Sequence, residues 1–190
     1  TTSVTMLKDV KLGAYVTISE SVNLNLAQFN ITRENGTALY VNGAGIEVAI
    51  DGEGTVSGAQ AVYVDNGTVT IDGGNYVGHH AVYVINNGHA VINDGTFKLK
   101  EGADPNFLLN EYDATRDITT IAVKGGTFHG FDPENNAAEG AGTNFCAEGY
   151  LSDDNGDGTW TVRQAAYVAQ VNDGAKYESL VDAVAAAQAG

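Results

Sequence analysis

Ala38-Leu39-Tyr40-Val41, Ala61-Val62-Tyr63-Val64 and Ala81-Val82-Tyr83-Val84 are near copies of one another, offset by 23 and then 20 residues. A second motif occurs in four copies: Val48-Ala49-Ile50-Asp51-Gly52, Val69-Thr70-Ile71-Asp72-Gly73, Ala90-Val91-Ile92-Asn93-Asp94-Gly95 and Ile121-Ala122-Val123-Lys124-Gly125-Gly126. A third motif follows each of these: Gly54-Thr55-Val56, Gly74-Asn75-Tyr76, Gly95-Thr96-Phe97 and Gly126-Thr127-Phe128. Three short strands within about 20 residues predict one turn of a parallel β-solenoid, in which each strand pairs with its equivalent roughly 4.8 Å away.

Tight turns are expected between these strands, which are predicted to be four to six residues long. Asn-Gly and Asp-Gly pairs recur between them, and glycine adopts positive φ at little cost. Further upstream, four segments alternate apolar and polar residues and fit one or two less regular turns: Val4 to Leu7, Tyr15 to Ile18, Val22 to Leu26 and Phe29 to Thr32. The predicted fold class is therefore all-β, a parallel solenoid (β-helix) of about six turns.

The composition limits the possible partners. The 190 residues include 9 Lys plus Arg and 24 Asp plus Glu, which gives a formal net charge of −15 and a pI near 4.3. Such a chain repels phosphates, so we expect no nucleic-acid partner. Apolar runs are short and no leader pattern is visible, so we expect neither a signal peptide nor membrane insertion. The single cysteine, Cys146, excludes an intramolecular disulfide and is predicted to be a buried thiol.

The sequence changes character after Phe128. Residues 1–144 are predicted to form the β-helix coils, 145–166 a closing strand and hairpin, and 167–190 a strand, a turn and one short capping α-helix. The hairpin is expected to join Tyr150-Leu151-Ser152 to Thr159-Trp160-Thr161-Val162. In a helix from Ser179 to Gln188, the apolar face would comprise Tyr177, Leu180, Val181, Val184 and Ala185. A short amphipathic helix needs a partner to pack against, so Tyr177, Leu180, Val181 and Val184 are the predicted assembly cap.

Several of these segments resemble a known family. The string Tyr177-Glu178-Ser179-Leu180-Val181-Asp182-Ala183-Val184-Ala185-Ala186-Ala187, with Ser3-Val4-Thr5-Met6-Leu7-Lys8-Asp9-Val10, resembles a module of large secreted and wall-attached bacterial proteins. Gly125-Gly126-Thr127-Phe128, with Phe131-Asp132-Pro133-Glu134-Asn135-Asn136 and Thr143-Asn144-Phe145, resembles the closing segment of those modules. The family is that of right-handed, pectate-lyase-like parallel β-helices, and similar coils occur in phage fibres. The resemblance implies a right-handed coil and an extracellular or cell-surface location, and says much less about activity.

The order of elements departs from the family pattern. Family members run from the short helix into the first strands, whereas in this chain the strands come first and the helix comes last. The order suggests one period of a tandem array, cut between the helix and the coil.

Tyr40, Tyr63 and Tyr83 occupy equivalent positions and are predicted to stack about 5 Å apart. If their neighbours point inward, strand alternation places the tyrosines on the outside. A flat aromatic strip there would suit a glycan or lateral contact with a host surface protein. The alternative is a ladder that a loop of the same chain covers.

Asp153, Asn155 and Asp157 match the first half of a calcium-binding loop. Position twelve of that loop would be Gln164, where calcium loops carry a bidentate glutamate. We therefore predict a plain hairpin turn, with calcium as the alternative, and no other cofactor.

Nothing in the sequence argues for an active site, so we predict that the chain is not an enzyme. Acidic residues that precede glycine at turns are explained by turn chemistry: Asp51, Asp72 and Asp94. Basic residues that could complete a lyase site are isolated in sequence: Arg33, Arg116 and Arg163.

A parallel solenoid has two open ends whose backbone groups could pair with any passing strand, so each end needs a cover. We expect the C-terminal helix of one copy to cover the first turn of the next, which joins copies head to tail into an open fibre or a rod of covalent repeats. The predicted function is a structural repeat or subunit of an extracellular bacterial filament, stalk or adhesin. The alternatives are a phage fibre protein and a carbohydrate-binding or carbohydrate-active β-helix module.

Overall fold

The computed structural model describes residues 1–188, and about half of the chain, 52%, lies in strands. The N-terminal part contains β1 (Thr2–Thr5), β2 (Val10–Lys11), β3 (Val16–Ile18), β4 (Val22–Asn25) and β5 (Ile31–Thr32). The repeats follow in β6 (Leu39–Asp51), β7 (Thr55–Ser57), β8 (Gln60–Gly78) and β9 (His80–Leu99). The later strands are β10 (Leu109–Glu111), β11 (Thr120–Val123), β12 (Thr127–His129), β13 (Tyr150–Asp154), β14 (Thr159–Gln164), β15 (Ala169–Gln170) and β16 (Lys176–Tyr177). A 3-10 helix spans Pro105–Phe107, and the α-helix α1 spans Leu180–Gln188.

The strands stack in parallel in the register that the repeats predict. Tyr40 pairs with Tyr63, and Tyr63 pairs with Tyr83. The other two motifs are aligned in the same way, as Val48–Val69–Ala90–Ile121 and as Thr55–Asn75–Thr96–Thr127. The predicted all-β parallel solenoid is therefore confirmed.

The structure differs from the prediction in the number of turns and in strand length. It has about five turns, compared with about six predicted, because the chain leaves the coil after β12. The strands β6, β8 and β9 are 13, 19 and 20 residues long, because the corners also pair with the corners of the next turn. Asn66 shows this: its side-chain amide donates to Asn42 Oδ1 at 3.1 Å, and its backbone pairs with Asn87. At the corners the pairing register between neighbouring strands shifts, and the ladder of paired residues continues on both sides.

The core is a single column of stacked apolar side chains inside the coil. Its aliphatic part includes Leu39, Val41, Ile50, Val62, Val64, Ile71, Val82, Val84 and Ile92, all at most 1% exposed. A buried aromatic stack fills one side: Tyr76 lies 5.2 Å from Phe97, and Phe97 lies 4.8 Å from Phe128, between ring centroids. Tyr76 keeps its hydroxyl satisfied by donating to the carbonyl of Gly73 at 2.9 Å. Side chains that point inward therefore pack against side chains of the same kind at the equivalent position of the next turn.

The predicted hairpin between Tyr150 and Val162 is present as β13 and β14, and it lies against β12, one strand of the last turn. The strand β14 pairs antiparallel with both β13 and β12, which places Trp160 opposite Phe128 and buries Val162. Because β14 lies against the last parallel strand, the edge of β12 is covered.

The segment after β14 forms a small antiparallel ladder, β15 with β16, followed by α1. The predicted strand from Tyr167 to Val171 is reduced to the two residues of β15. The predicted turn at Asn172-Asp173-Gly174 is present: Asn172 has φ 50° and the amide of Gly174 donates to Val171 at 3.0 Å. Residues 189–190 of the predicted cap segment lie outside the described residues.

Candidate functional site

The helix α1 carries the predicted assembly cap. Its first turn is capped by Ser179, whose Oγ accepts from the amide of Asp182 at 3.4 Å. Just before it, Glu178 is bound by Arg163 of β14 at 2.7 Å and 2.8 Å, which ties the helix to the closing hairpin. This ion pair, reinforced by the amide of Ala166, lowers the pKa of Glu178 to about 2.

Most of the apolar face of α1 is not covered by the chain itself. Ala183 is the buried residue of the helix and packs it near β15 and β16, whereas Leu180 and Val181 are 64% and 77% exposed. Val184 is also exposed, and Tyr177 is half-buried at the end of β16. The helix therefore packs through Ala183, a residue outside the apolar face predicted from the sequence, and most of that predicted face is exposed.

The opposite end of the solenoid is also uncovered. Each strand of the first turn pairs on one edge only within residues 1–188: β1 with β4, β2 with β5 and β3 with β6. Apolar side chains of this turn are exposed, with Leu7 at 85% and Val4 at 48%. Val10 and Val16 are exposed as well. The first turn therefore presents unpaired backbone groups beside an apolar surface.

The structure places Tyr40, Tyr63 and Tyr83 on the outer surface, half-exposed, with their neighbours in the strand buried. The ring centroids lie 5.3 Å apart between Tyr40 and Tyr63 and 5.2 Å apart between Tyr63 and Tyr83. Two residues that sequence reasoning missed extend the row: Tyr15 packs edge-on against Tyr40 at 5.3 Å, and His80 stacks on Tyr83 at 5.0 Å. We call these five side chains the aromatic strip.

Asp65 organises the polar edge of the aromatic strip. It accepts a hydrogen bond from the Tyr40 hydroxyl at 2.5 Å and another from the Asn86 amide. The bond to Asp65, together with partial burial, raises the pKa of Tyr40 to about 12, so this phenol stays protonated and can accept as well as donate. A cleft of about 250 Å³ opens beside the strip, lined by Tyr15, Thr37, Tyr40 and Tyr63. The binding of a glycan or protein there stays a prediction.

The calcium candidates Asp153, Asn155 and Asp157 lie in the β13–β14 hairpin, and each is engaged within it. Asp153 pairs with Arg163 at 2.5 Å, and Asp157 accepts from the amide and hydroxyl of Thr159 at 3.0 Å and 2.6 Å. Asn155 donates to the hydroxyls of Thr159 and Thr161, both at 2.9 Å. The oxygens a cation would need therefore serve the turn, and calcium binding stays a prediction.

Cys146 is half-buried, so it is less buried than predicted. Burial, with the nearby charges of Glu134 and Asp132, raises the pKa of the thiol to about 12. A thiol of this kind is protonated at neutral pH and is a poor nucleophile.

No protein-family model, curated protein or solved structure matches the chain. The right-handed pectate-lyase-like family and the bacterial origin therefore stay predictions, whereas the parallel β-solenoid rests on the observed pairing. Within residues 1–188 there is no helix with the length and apolar character needed to cross a bilayer.

Proposed function

We propose that the chain is a non-enzymatic structural repeat or subunit of an extracellular bacterial filament, stalk or adhesin, and that copies join head to tail. The observation that carries the proposal is the pair of unlike uncovered ends. Leu180, Val181 and Val184 form an apolar patch beyond the last turn, and the first turn exposes Val4 and Leu7 at the other end. Two unlike surfaces that fit each other generate an open chain of copies, whereas a twofold dimer would use one surface twice.

The size of these surfaces indicates how strongly copies would join. Burial of a valine or leucine side chain contributes roughly 1.5–3 kcal/mol, so about six such side chains contribute on the order of 10 kcal/mol. Association of free molecules costs roughly 4–15 kcal/mol in lost freedom and ordering. Separate copies should therefore associate weakly. Copies linked in one chain meet at an effective concentration of about millimolar, which favours the tandem-repeat form of the proposal.

Sedimentation velocity between about 10 µM and about 1 mM tests this proposal, because weak association requires high concentration. The chain should form concentration-dependent oligomers of increasing size, and a variant with Leu180→Ser, Val181→Ser and Val184→Ser should remain monomeric. Ile118→Ser is the matched control, because Ile118 is an exposed apolar residue that belongs to neither of the two surfaces. Oligomers that persist in the triple variant, or a monomeric parent chain at the highest concentration, would remove the proposal.

Glycan binding at the aromatic strip is a second candidate, supported by the half-exposed stack and its adjoining cleft. Aromatic faces bind the apolar faces of sugar rings. Neutral and acidic polysaccharides would be tested for retention of the chain, with Tyr63→Ala as the binding variant and Tyr167→Ala, an exposed tyrosine in the segment after β14, as the control. Selective loss of retention in Tyr63→Ala supports this candidate. Cleaved polysaccharide would instead support the carbohydrate-active alternative.

A further inference from the structure

A polar cleft of about 370 Å³ lies where the insertion after β9 meets the loop before β13. Four charged side chains line it, Glu111, Arg116, Asp117 and Glu139, which is a net charge of −2 when all four are ionised. The cleft lies on the last turn of the coil, beside the strand that carries Tyr83, and it shares no lining residue with the cleft beside the aromatic strip.

Two buried polar atoms in this cleft have no hydrogen-bond partner. Thr119 is only 4% exposed, lines the cleft and has an unpartnered hydroxyl. The Oε2 atom of Glu139 is buried and unpartnered as well. An unsatisfied buried polar atom destabilises the fold, and a bound donor would relieve this cost.

The carboxylates of the cleft are held in place by backbone groups. The amide of Ile121 donates to Glu111 Oε1 at 2.7 Å, and the amide of Glu111 donates to Glu139 Oε1 at 2.7 Å. Each carboxylate thus has one oxygen fixed and one left for another donor. Arg116 lies near enough to lower the pKa of both carboxylates, but its Nη1 donates to the main-chain carbonyl of Glu139 at 3.1 Å and forms no ion pair with either of them. No ion pair within residues 1–188 involves a carboxylate of this cleft.

We propose that this cleft binds a primary ammonium group, with Glu139 Oε2, the Thr119 hydroxyl and Glu111 as its three acceptors. An ammonium group has three N–H donors and one positive charge, which matches three acceptors that line one negatively charged cleft. A metal ion fits less well, because no three His, Cys, Asp or Glu residues in the described part of the chain converge as metal ligands. The ammonium could belong to a lysine side chain or to an amino sugar, and the cleft volume accommodates either.

Protonation of the cleft should control this binding. Burial raises the pKa of Glu111 to about 7 and raises that of Glu139, with added repulsion between the acids, including Asp113 beside Glu139. The charged groups that face the pair are Asp113, Arg116 and Asp117. A bound cation favours the ionised carboxylates, so binding should be weaker at pH 5 than at pH 8.

The test is a titration followed by amide NMR, because the amides of Glu111 and Ile121 report directly on the two carboxylates. The probes are n-butylammonium, which mimics lysine, and glucosamine; their uncharged counterparts are n-butanol and N-acetylglucosamine. At pH 7, where both amines are largely protonated, saturable shifts of both amides with one or both ammonium probes and none with the neutral compounds support the proposal. The probe that binds shows whether the ammonium group belongs to a lysine side chain or to an amino sugar. Equal binding of the neutral compounds, or no shift with either ammonium probe, overturns it.

Two variants and one control localise the binding. Glu139→Gln removes the charge and Thr119→Val removes the hydroxyl, and each should weaken ammonium binding about tenfold or more. Asp51→Asn changes the net charge equally at an exposed position outside the cleft and should change binding less than about twofold. Thr119→Val should also leave thermal stability unchanged or raised, because it removes a buried hydroxyl that has no partner. If Thr119→Val binds the ammonium probe with wild-type affinity, or if Asp51→Asn weakens binding as much as the two cleft variants do, the assignment is contradicted.

Discussion

Replacing Gly125 with alanine tests the stacking of successive turns directly. A methyl group at this position would lie 2.0 Å from the carbonyl oxygen of Asn93, in the turn below, and 3.0 Å from its carbonyl carbon. Gly125 is not in the left-handed region, so the cost of the substitution comes from contact between turns. Overpacking typically costs about 1–3 kcal/mol, and a main-chain carbonyl cannot rotate away as a side chain would. We therefore expect a loss of about 3 kcal/mol in the free energy of unfolding.

Urea unfolding followed by far-UV circular dichroism and by the fluorescence of Trp160 measures this loss. Gly13→Ala is the matched control, because no atom lies within 4 Å of the added methyl group and φ is not left-handed. That substitution should be neutral or stabilise the chain by up to about 1 kcal/mol, since alanine restricts the unfolded state. If Gly125→Ala costs less than about 1 kcal/mol, Asn93 does not lie against Gly125 and the register of the last turns is wrong.

Three further substitutions or reactions probe the interior. Phe97→Leu breaks two stacked contacts and should cost about 1–3 kcal/mol in urea unfolding. Phe107→Leu should cost clearly less, because Phe107 is only partly buried and its ring is tilted against His80 at 6.2 Å. Equal losses would contradict the stack. Folding raises the pKa of Glu111 to about 7. The stability that this shift contributes is therefore fully present below the ordinary pKa of 4.5 and is lost as the pH rises through 7. After allowance for partial exposure, Glu111→Gln should therefore raise the free energy of unfolding by about 1–2 kcal/mol at pH 8 and leave it unchanged at pH 4. A gain in thermal stability of equal size at both pH values would refute this. Cys146 should react with iodoacetamide at pH 8 about 100-fold more slowly in the native chain than in the chain unfolded in urea. If the native and unfolded rates lie within tenfold of each other, the thiolate is accessible in the native chain.

The coil could be predicted from sequence because each repeat packs on a copy of itself. Val41, Val64 and Val84 face identical surroundings in successive turns, so the same residue types recur and the period is readable. The number of turns was overestimated by about one. The lengths of β6, β8 and β9 were underestimated because Asn-Gly corners, which predict breaks, also pair with the corners above and below.

The sites were predictable only where they follow the repeat. Strand alternation placed Tyr40 and Tyr63 outside, whereas Tyr15 joins the aromatic strip from an irregular first turn that gave no register. The polar cleft joins Glu111 to Glu139, 28 residues apart, through an insertion and a loop that have no period at all. In α1, periodicity identified the apolar face, but the choice of Ala183 as the packed residue depends on the small β15–β16 ladder.

Head-to-tail contact between copies is tested most directly by cross-linking its two surfaces. Val4 of the first turn and Val184 of α1 are both exposed, so each can carry an engineered cysteine in a chain whose Cys146 is replaced by alanine. With a short thiol cross-linker, chains carrying both Val4→Cys and Val184→Cys should yield a ladder of dimers, trimers and longer species, and a mixture of the two single variants should yield dimers only. Val184→Cys alone should remain monomeric. The absence of a ladder, or abundant dimers from Val184→Cys alone, would contradict head-to-tail joining.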